Sequence, residues 1–186
     1  MGAAVFLYRD GTVIVDKGYL GDPAGVELER GAASGLRAVA ALGYALIVVT
    51  NQSGIARGLF SREAAEGVNR RVAEELAREG VAIADWYVCP HGPDDRCRCR
   101  KPQTGLIDQA VSEHHLDISA SYVIGDKQSD LLLARAAGAT GILVMTGDGT
   151  AHSQWALRSG YPVCAGLPET ATLIRSRISP NPRPAQ

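Results

Sequence analysis

Short apolar runs rich in β-branched residues alternate with stretches whose apolar positions recur at helical spacing, and this alternation leaves few architectures open. Gly31 to Leu42 sets Leu36, Val39 and Ala40 on one stripe, stops at Gly43, and yields to the apolar run Ala45 to Val49. With Val5 to Leu7 before it, this makes strand, helix, strand, the unit of a parallel sheet. Ser61 is placed to cap a second helix carrying Val68, Val72 and Leu76 on one face, with Gly80 to end it. Further strands are predicted at Ile83 to Val88, Ser121 to Ile124, Ile142 to Met145 and Tyr161 to Cys164. Pro102 can open a helix through Leu106, Ile107, Ala110 and Val111; others follow at Ser129 to Ala137 and around Leu173 and Ile174. The expected fold class is α/β, a doubly wound, Rossmann-like parallel sheet with ligands at the carboxyl ends of its strands.

At 186 residues and 46% hydrophobic, the chain can bury one substantial core, so a single domain over 1–178 is expected. Residues 179–186, with three prolines and few apolar residues, are expected to form a flexible tail. A formal net charge of -1 supplies no basic field, so nucleic acid is not an expected partner. No apolar run approaches the roughly 18 residues needed to cross a bilayer. The expectation is a cytoplasmic monomer with no membrane partner. Cys164 sits in an apolar run and is expected in the core, while His114, His115 and His152 are expected at the surface.

Four polar loops follow predicted strands or open predicted helices. The first is Tyr8-Arg9-Asp10-Gly11-Thr12, which taken alone reads equally as an ordinary Asp-Gly turn. The second, Thr50-Asn51-Gln52-Ser53-Gly54, offers hydroxyls and amides to an anion. Arg100-Lys101-Pro102 can aim a fork and a point charge at a phosphate, and Gly125-Asp126-Lys127-Gln128-Ser129-Asp130 supplies carboxylates suited to a hard cation.

In order and position these loops resemble the four motifs of the haloacid dehalogenase (HAD) phosphatases. Asp16-Lys17-Gly18-Tyr19, Thr50 to Gly58 and a cysteine cluster before Arg100 narrow the resemblance to the heptose 1,7-bisphosphate phosphatases, with histidinol-phosphate phosphatases as relatives. The resemblance implies a domain without a large cap and a sugar-phosphate substrate. It makes Asp10 the general acid and base, with Thr50 and Lys101 steadying the phosphoryl group. Asp16, Lys17, Gly18, Tyr19, Asn51, Gln52, Ser53, Arg100 and Lys127 would bind substrate. Magnesium would use Asp10 and Asp126, supported from behind by Asp130.

Between a predicted strand and Arg100 lies Cys89-Pro90-His91 and then Cys97-Arg98-Cys99, a C-x-H-x5-C-x-C spacing within a loop over 89–99. Three thiolates and an imidazole complete a tetrahedral zinc with no open position, which is the mark of a structural site. Such a zinc would order the loop and aim Arg100 and Lys101, and the resemblance includes such a loop.

One residue departs from the pattern. The family's first loop reads Asp-x-Asp-Gly-Thr, and its first aspartate attacks phosphorus; here Tyr8 holds that position. A phenol of pKa near 10 is a weak nucleophile at neutral pH and no anionic metal ligand. Loss of a nucleophile costs on the order of a million-fold in kcat in a well-studied hydrolase. The expectation is therefore a magnesium-dependent sugar-phosphate phosphatase by ancestry, removing the 7-phosphate of a heptose bisphosphate, with turnover impaired. The alternatives are a regulator that binds a sugar phosphate without cleaving it, or a histidinol-phosphate phosphatase relative.

Overall fold

The protein, seen in a computed structural model, is described over residues 2–178; the expected tail at 179–186 lies outside the described residues. Six strands, β1 (Ala4–Leu7), β2 (Ala45–Asn51), β3 (Asp85–Cys89), β4 (Tyr122–Gly125), β5 (Thr140–Val144) and β6 (Val163–Cys164), form one parallel sheet in the order β3-β2-β1-β4-β5-β6. Chain order reverses between β1 and β4, so the crevice of a doubly wound sheet opens where Tyr8 and Asp126 leave the sheet.

Alternation along the strands sorts side chains onto two helix-covered faces. Val5, Leu7, Leu46 and Val48 pack against α1 (Ala32–Ala40), α2 (Arg62–Arg78) and α6 (Leu167–Ile178), through residues such as Leu36, Val72 and Ile174. On the other face Ala4, Phe6, Ile47 and Val49 meet α3 (Gly105–His114) and α4 (Gln128–Ala137). Tyr8 continues the Ala4, Phe6 face and is only 4% exposed. Leu143 turns the same way and meets Ala156 of α5 (Gly149–Arg158).

The predicted Ser61 cap forms, its hydroxyl accepting from the Ala64 amide at 3.2 Å. Two helices depart from expectation. α3 begins at Gly105 rather than at Pro102, because Lys101 to Gln103 form a turn. α5 was not anticipated: only Gly149 and Ala156 of its ten residues are buried, too few for a readable stripe.

Candidate active site

The β1 exit sets the frame. Arg9, wholly buried, donates from its Nε and Nη2 to Asp10 at 3.0 to 3.3 Å and from Nη1 to Asn69 Oδ1 of α2 at 2.8 Å. Its carbonyl gathers the amides of Val13 and Ile14 and closes the turn. At Gly11, φ is +76° and a Cβ would strike Asp126, so the close approach of the β1 and β4 loops requires glycine. Thr146 donates to the Gly11 carbonyl at 2.6 Å, latching the loop after β5 onto the loop after β1.

Above this frame lies a cleft of about 520 Å³ lined by Tyr8, Asp10, Asp16, Gly18, Tyr19, Thr50, Asn51, Gln52, Ser53, Arg100, Lys101, Lys127 and Ser129. All the expected catalytic and substrate-binding positions line it except Lys17, which pairs with Glu27 at 3.0 Å instead. Gln52 Nε2 spans Asp10 Oδ2 at 2.9 Å and the Thr50 hydroxyl at 2.8 Å, joining the first loop to the second. Lys101 Nζ sits 2.6 Å from Asp130 Oδ1, and Asp130 is fully buried and also accepts from the Lys127 amide. Lys127 bridges Asp16 at 3.4 Å and Asp148 at 3.2 Å. Burial opposes the charge on Lys127, but the carboxylates of Asp126, Asp148 and Asp16 outweigh it and shift its pKa upward.

Tyr8 fills the nucleophile position with its ring face 3.6 Å from the Lys101 ammonium, within cation–π range. Burial, and then the charges of Asp130 and Cys89, push the phenol well above its ordinary pKa. These surroundings favour the neutral phenol over a phenolate nucleophile.

Magnesium favours a near-octahedral set of oxygens, usually one or two carboxylates completed by water and phosphate. Asp126 fits such a role: its Oδ1 is buried without a hydrogen-bond partner, while Oδ2 accepts from the Asp148 amide at 3.0 Å. Burial pushes its pKa up to about 6 despite that hydrogen bond. Both Asp10 oxygens, by contrast, are committed to Arg9 and Gln52, and Tyr8 brings no carboxylate. Tyr8 thus removes one carboxylate from the set the resemblance assigns to the cation, and Asp126 is left as the carboxylate with an unpartnered oxygen.

Beside the cleft, the sulfurs of Cys89, Cys97 and Cys99 and His91 Nδ1 lie 3.2 to 3.7 Å apart in the contacts they make. A tetrahedron with metal–sulfur bonds of about 2.3 Å has edges of roughly 3.8 Å, so the four donors could close on zinc with little movement. Burial raises the Cys89 thiol to about 12. The loop delivers its neighbours to the cleft: Arg100 Nη1 donates to the His91 carbonyl at 3.2 Å, and the Lys101 amide to Asn51 Oδ1 at 3.4 Å.

Three participants escaped the sequence. Arg9 stood in the first loop without an assigned role and Asn69 carries no motif, although a polar Asn69 beside the Val68 and Val72 stripe hints at a buried acceptor. Ser129 lines the cleft from the first turn of α4. His114, expected free at the surface, is half-buried and meets Asp85 at 3.0 Å, because α3 packs along edge strand β3.

Comparison with known proteins gives a consistent result. A family model described as HAD-hydrolase-like matches residues 98–170. The D-glycero-β-D-manno-heptose-1,7-bisphosphate 7-phosphatase of Yersinia pestis is 41% identical over 169 residues, covering 84% of this chain and 90% of that protein. The enzyme of the same name from Escherichia coli K12 is 41% identical over 77% of this chain and 80% of its own. Among solved structures, a D,D-heptose 1,7-bisphosphate phosphatase from B. bronchiseptica, complexed with magnesium and phosphate, superposes with a TM-score of 0.87. It is 30% identical and the match covers 94% of this chain and 99% of that one. No described helix is long and apolar enough to cross a membrane.

Proposed function

Because this chain belongs to the HAD-like phosphatases, in the group of the heptose-1,7-bisphosphate 7-phosphatases, we propose that its cleft receives D-glycero-β-D-manno-heptose 1,7-bisphosphate. The 7-phosphate lies between Thr50, Ser53 and Lys101, with Arg100 and Lys127 on the sugar and its second phosphate. Turnover is strongly impaired by Tyr8. One observation carries this reading: the groups around position 8 keep a connected arrangement, with Asp130 on Lys101 and Gln52 on both Thr50 and Asp10, while position 8 itself holds a neutral phenol.

Lys101 and Arg100 supply positive charge to an incoming phosphate, and Thr50 and Asn51 supply neutral hydrogen bonds that orient it. Asp10, held by Arg9 and Gln52, is the group positioned to exchange a proton with the leaving sugar oxygen. Position 8, from which the family's first aspartate attacks phosphorus, holds a phenol instead of a carboxylate. Zinc held by Cys89, His91, Cys97 and Cys99 orders the loop that carries Arg100 and Lys101. The same reading puts the protein in the cytoplasm, where sugar phosphates and reduced thiols occur together. Phosphate release from the heptose bisphosphate with magnesium present tests the proposal: Tyr8→Asp is expected to turn over and the native chain to be at least about a thousandfold slower. Equal rates would refute it.

A further inference from the structure

Around position 8 carboxylates already outnumber cations by one. Asp10, Asp16, Asp126, Asp130 and Asp148 face Arg9, Arg100, Lys101 and Lys127, and contacts of 2.6 to 3.4 Å pair four of the five carboxylates directly. A carboxylate at position 8 would be a sixth anion with no counter-charge of its own, facing a phosphate that is itself dianionic. A divalent cation offsets that excess in a site of such composition. Here a neutral ring stands in its place and turns its electron-rich face to Lys101 at 3.6 Å.

We infer that this cleft binds a phosphate monoester or inorganic phosphate without a divalent cation. The inference rests on the reading of the cleft as a sugar-phosphate site and deepens it. Three observations converge on it. Removing one anion leaves the cleft lining with Arg100, Lys101 and Lys127 against Asp10 and Asp16. Asp10 is neutralised from below by Arg9, so it does not repel the ligand at full strength. Tyr8 takes one carboxylate out of the set that would hold a magnesium ion, leaving Asp126 with the one unpartnered side-chain oxygen. Tyr8 thus trades the attacking group for a metal-independent anion site, and a chain that has lost turnover keeps a means of holding the ligand.

The test is calorimetric titration with inorganic phosphate, which no variant can cleave, and with the heptose bisphosphate on the native chain. Each titration is run with magnesium and in buffer freed of it by a chelating resin, with protein-bound zinc checked by elemental analysis. The native chain is expected to show the same affinity within about threefold in both buffers. Tyr8→Asp is expected to lose affinity by about a hundredfold or more without magnesium and to recover it when magnesium returns. Tyr8→Asn, neutral but of aspartate's shape, is expected to follow the native chain, which separates charge from the lost ring. Native binding that requires magnesium would overturn this inference and leave the sugar-phosphate reading standing. Magnesium dependence in Tyr8→Asn would overturn the charge argument. Absence of binding to either ligand in either buffer would overturn both readings.

Discussion

Asn69→Leu isolates the least visible support of the site. Asn69 Oδ1 is the acceptor for Arg9 Nη1 at 2.8 Å, and Arg9 has no exposure to water. Leucine shares asparagine's branching and heavy-atom count, though it is bulkier, and it is a better helix former by a few tenths of a kcal/mol, so it suits the helical interior of Arg62–Arg78. What is lost is a hydrogen bond to a buried charge, worth roughly 1.5 to 3 kcal/mol. Full isolation of a buried charge costs about 3 to 5 kcal/mol, but Arg9 keeps Asp10, so the lower range applies. The net expectation is a destabilisation of about 2 kcal/mol, or a fall in Tm of about 4 to 8 °C for a chain of this size. Urea denaturation at pH 7 checks it, with the slope of free energy against urea unchanged. Asn69→Asp keeps an acceptor and is expected within about 1 kcal/mol of the native chain. If Asn69→Leu costs less than about 0.5 kcal/mol, the buried contact does not anchor Arg9 and the argument fails.

Tyr8→Asp is expected to lower stability by about 3 kcal/mol in magnesium-free buffer, since it empties a ring's volume from the Phe6, Ile47 and Val49 face; a melt matching the native one would contradict this. Asp126, raised to about 6, disfavours folding when ionised, so its protonated form adds stability below its unfolded pKa that is lost as pH rises through 6. Asp126→Asn should therefore raise stability by on the order of 2 kcal/mol at pH 7.5 without magnesium, the gain shrinking as pH drops below 6, as melts across that range would show. The purified protein should carry one zinc per chain by elemental analysis. Cys99→Ser should lose it and weaken phosphate binding severalfold while the sheet persists by circular dichroism; unchanged phosphate affinity would show that the loop does not aim Arg100 and Lys101.

Much of the fold was legible because its signals are local. Periodicity of 2 or 3.6 is written within a single segment, so five of the six helices and all six strands were anticipated, with shifted ends. The element that was missed, Gly149–Arg158, packs through too few apolar residues to show a period, and the start of α3 slipped because Pro102 belongs to a turn. Lys17 was carried into the site by its neighbours in sequence, yet its side chain pairs with Glu27 away from the cleft lining.

What the chain alone determined were the strand-end loops, their order, the metal-suited spacing of Cys89, His91, Cys97 and Cys99, and the missing carboxylate at position 8. Only the tertiary structure decided what surrounds that position. Placing β4 beside β1 brings Asp126 against Gly11, 115 residues away in sequence, and leaves its Oδ1 without a partner. Packing of α2 reaches Asn69 to Arg9, and α4 sets Asp130 on Lys101 so that the ammonium rests on the Tyr8 ring. Charge balance and donor availability are sums over groups gathered from distant segments. No local pattern holds them, and they exist only once the sheet has brought those segments within a few ångströms.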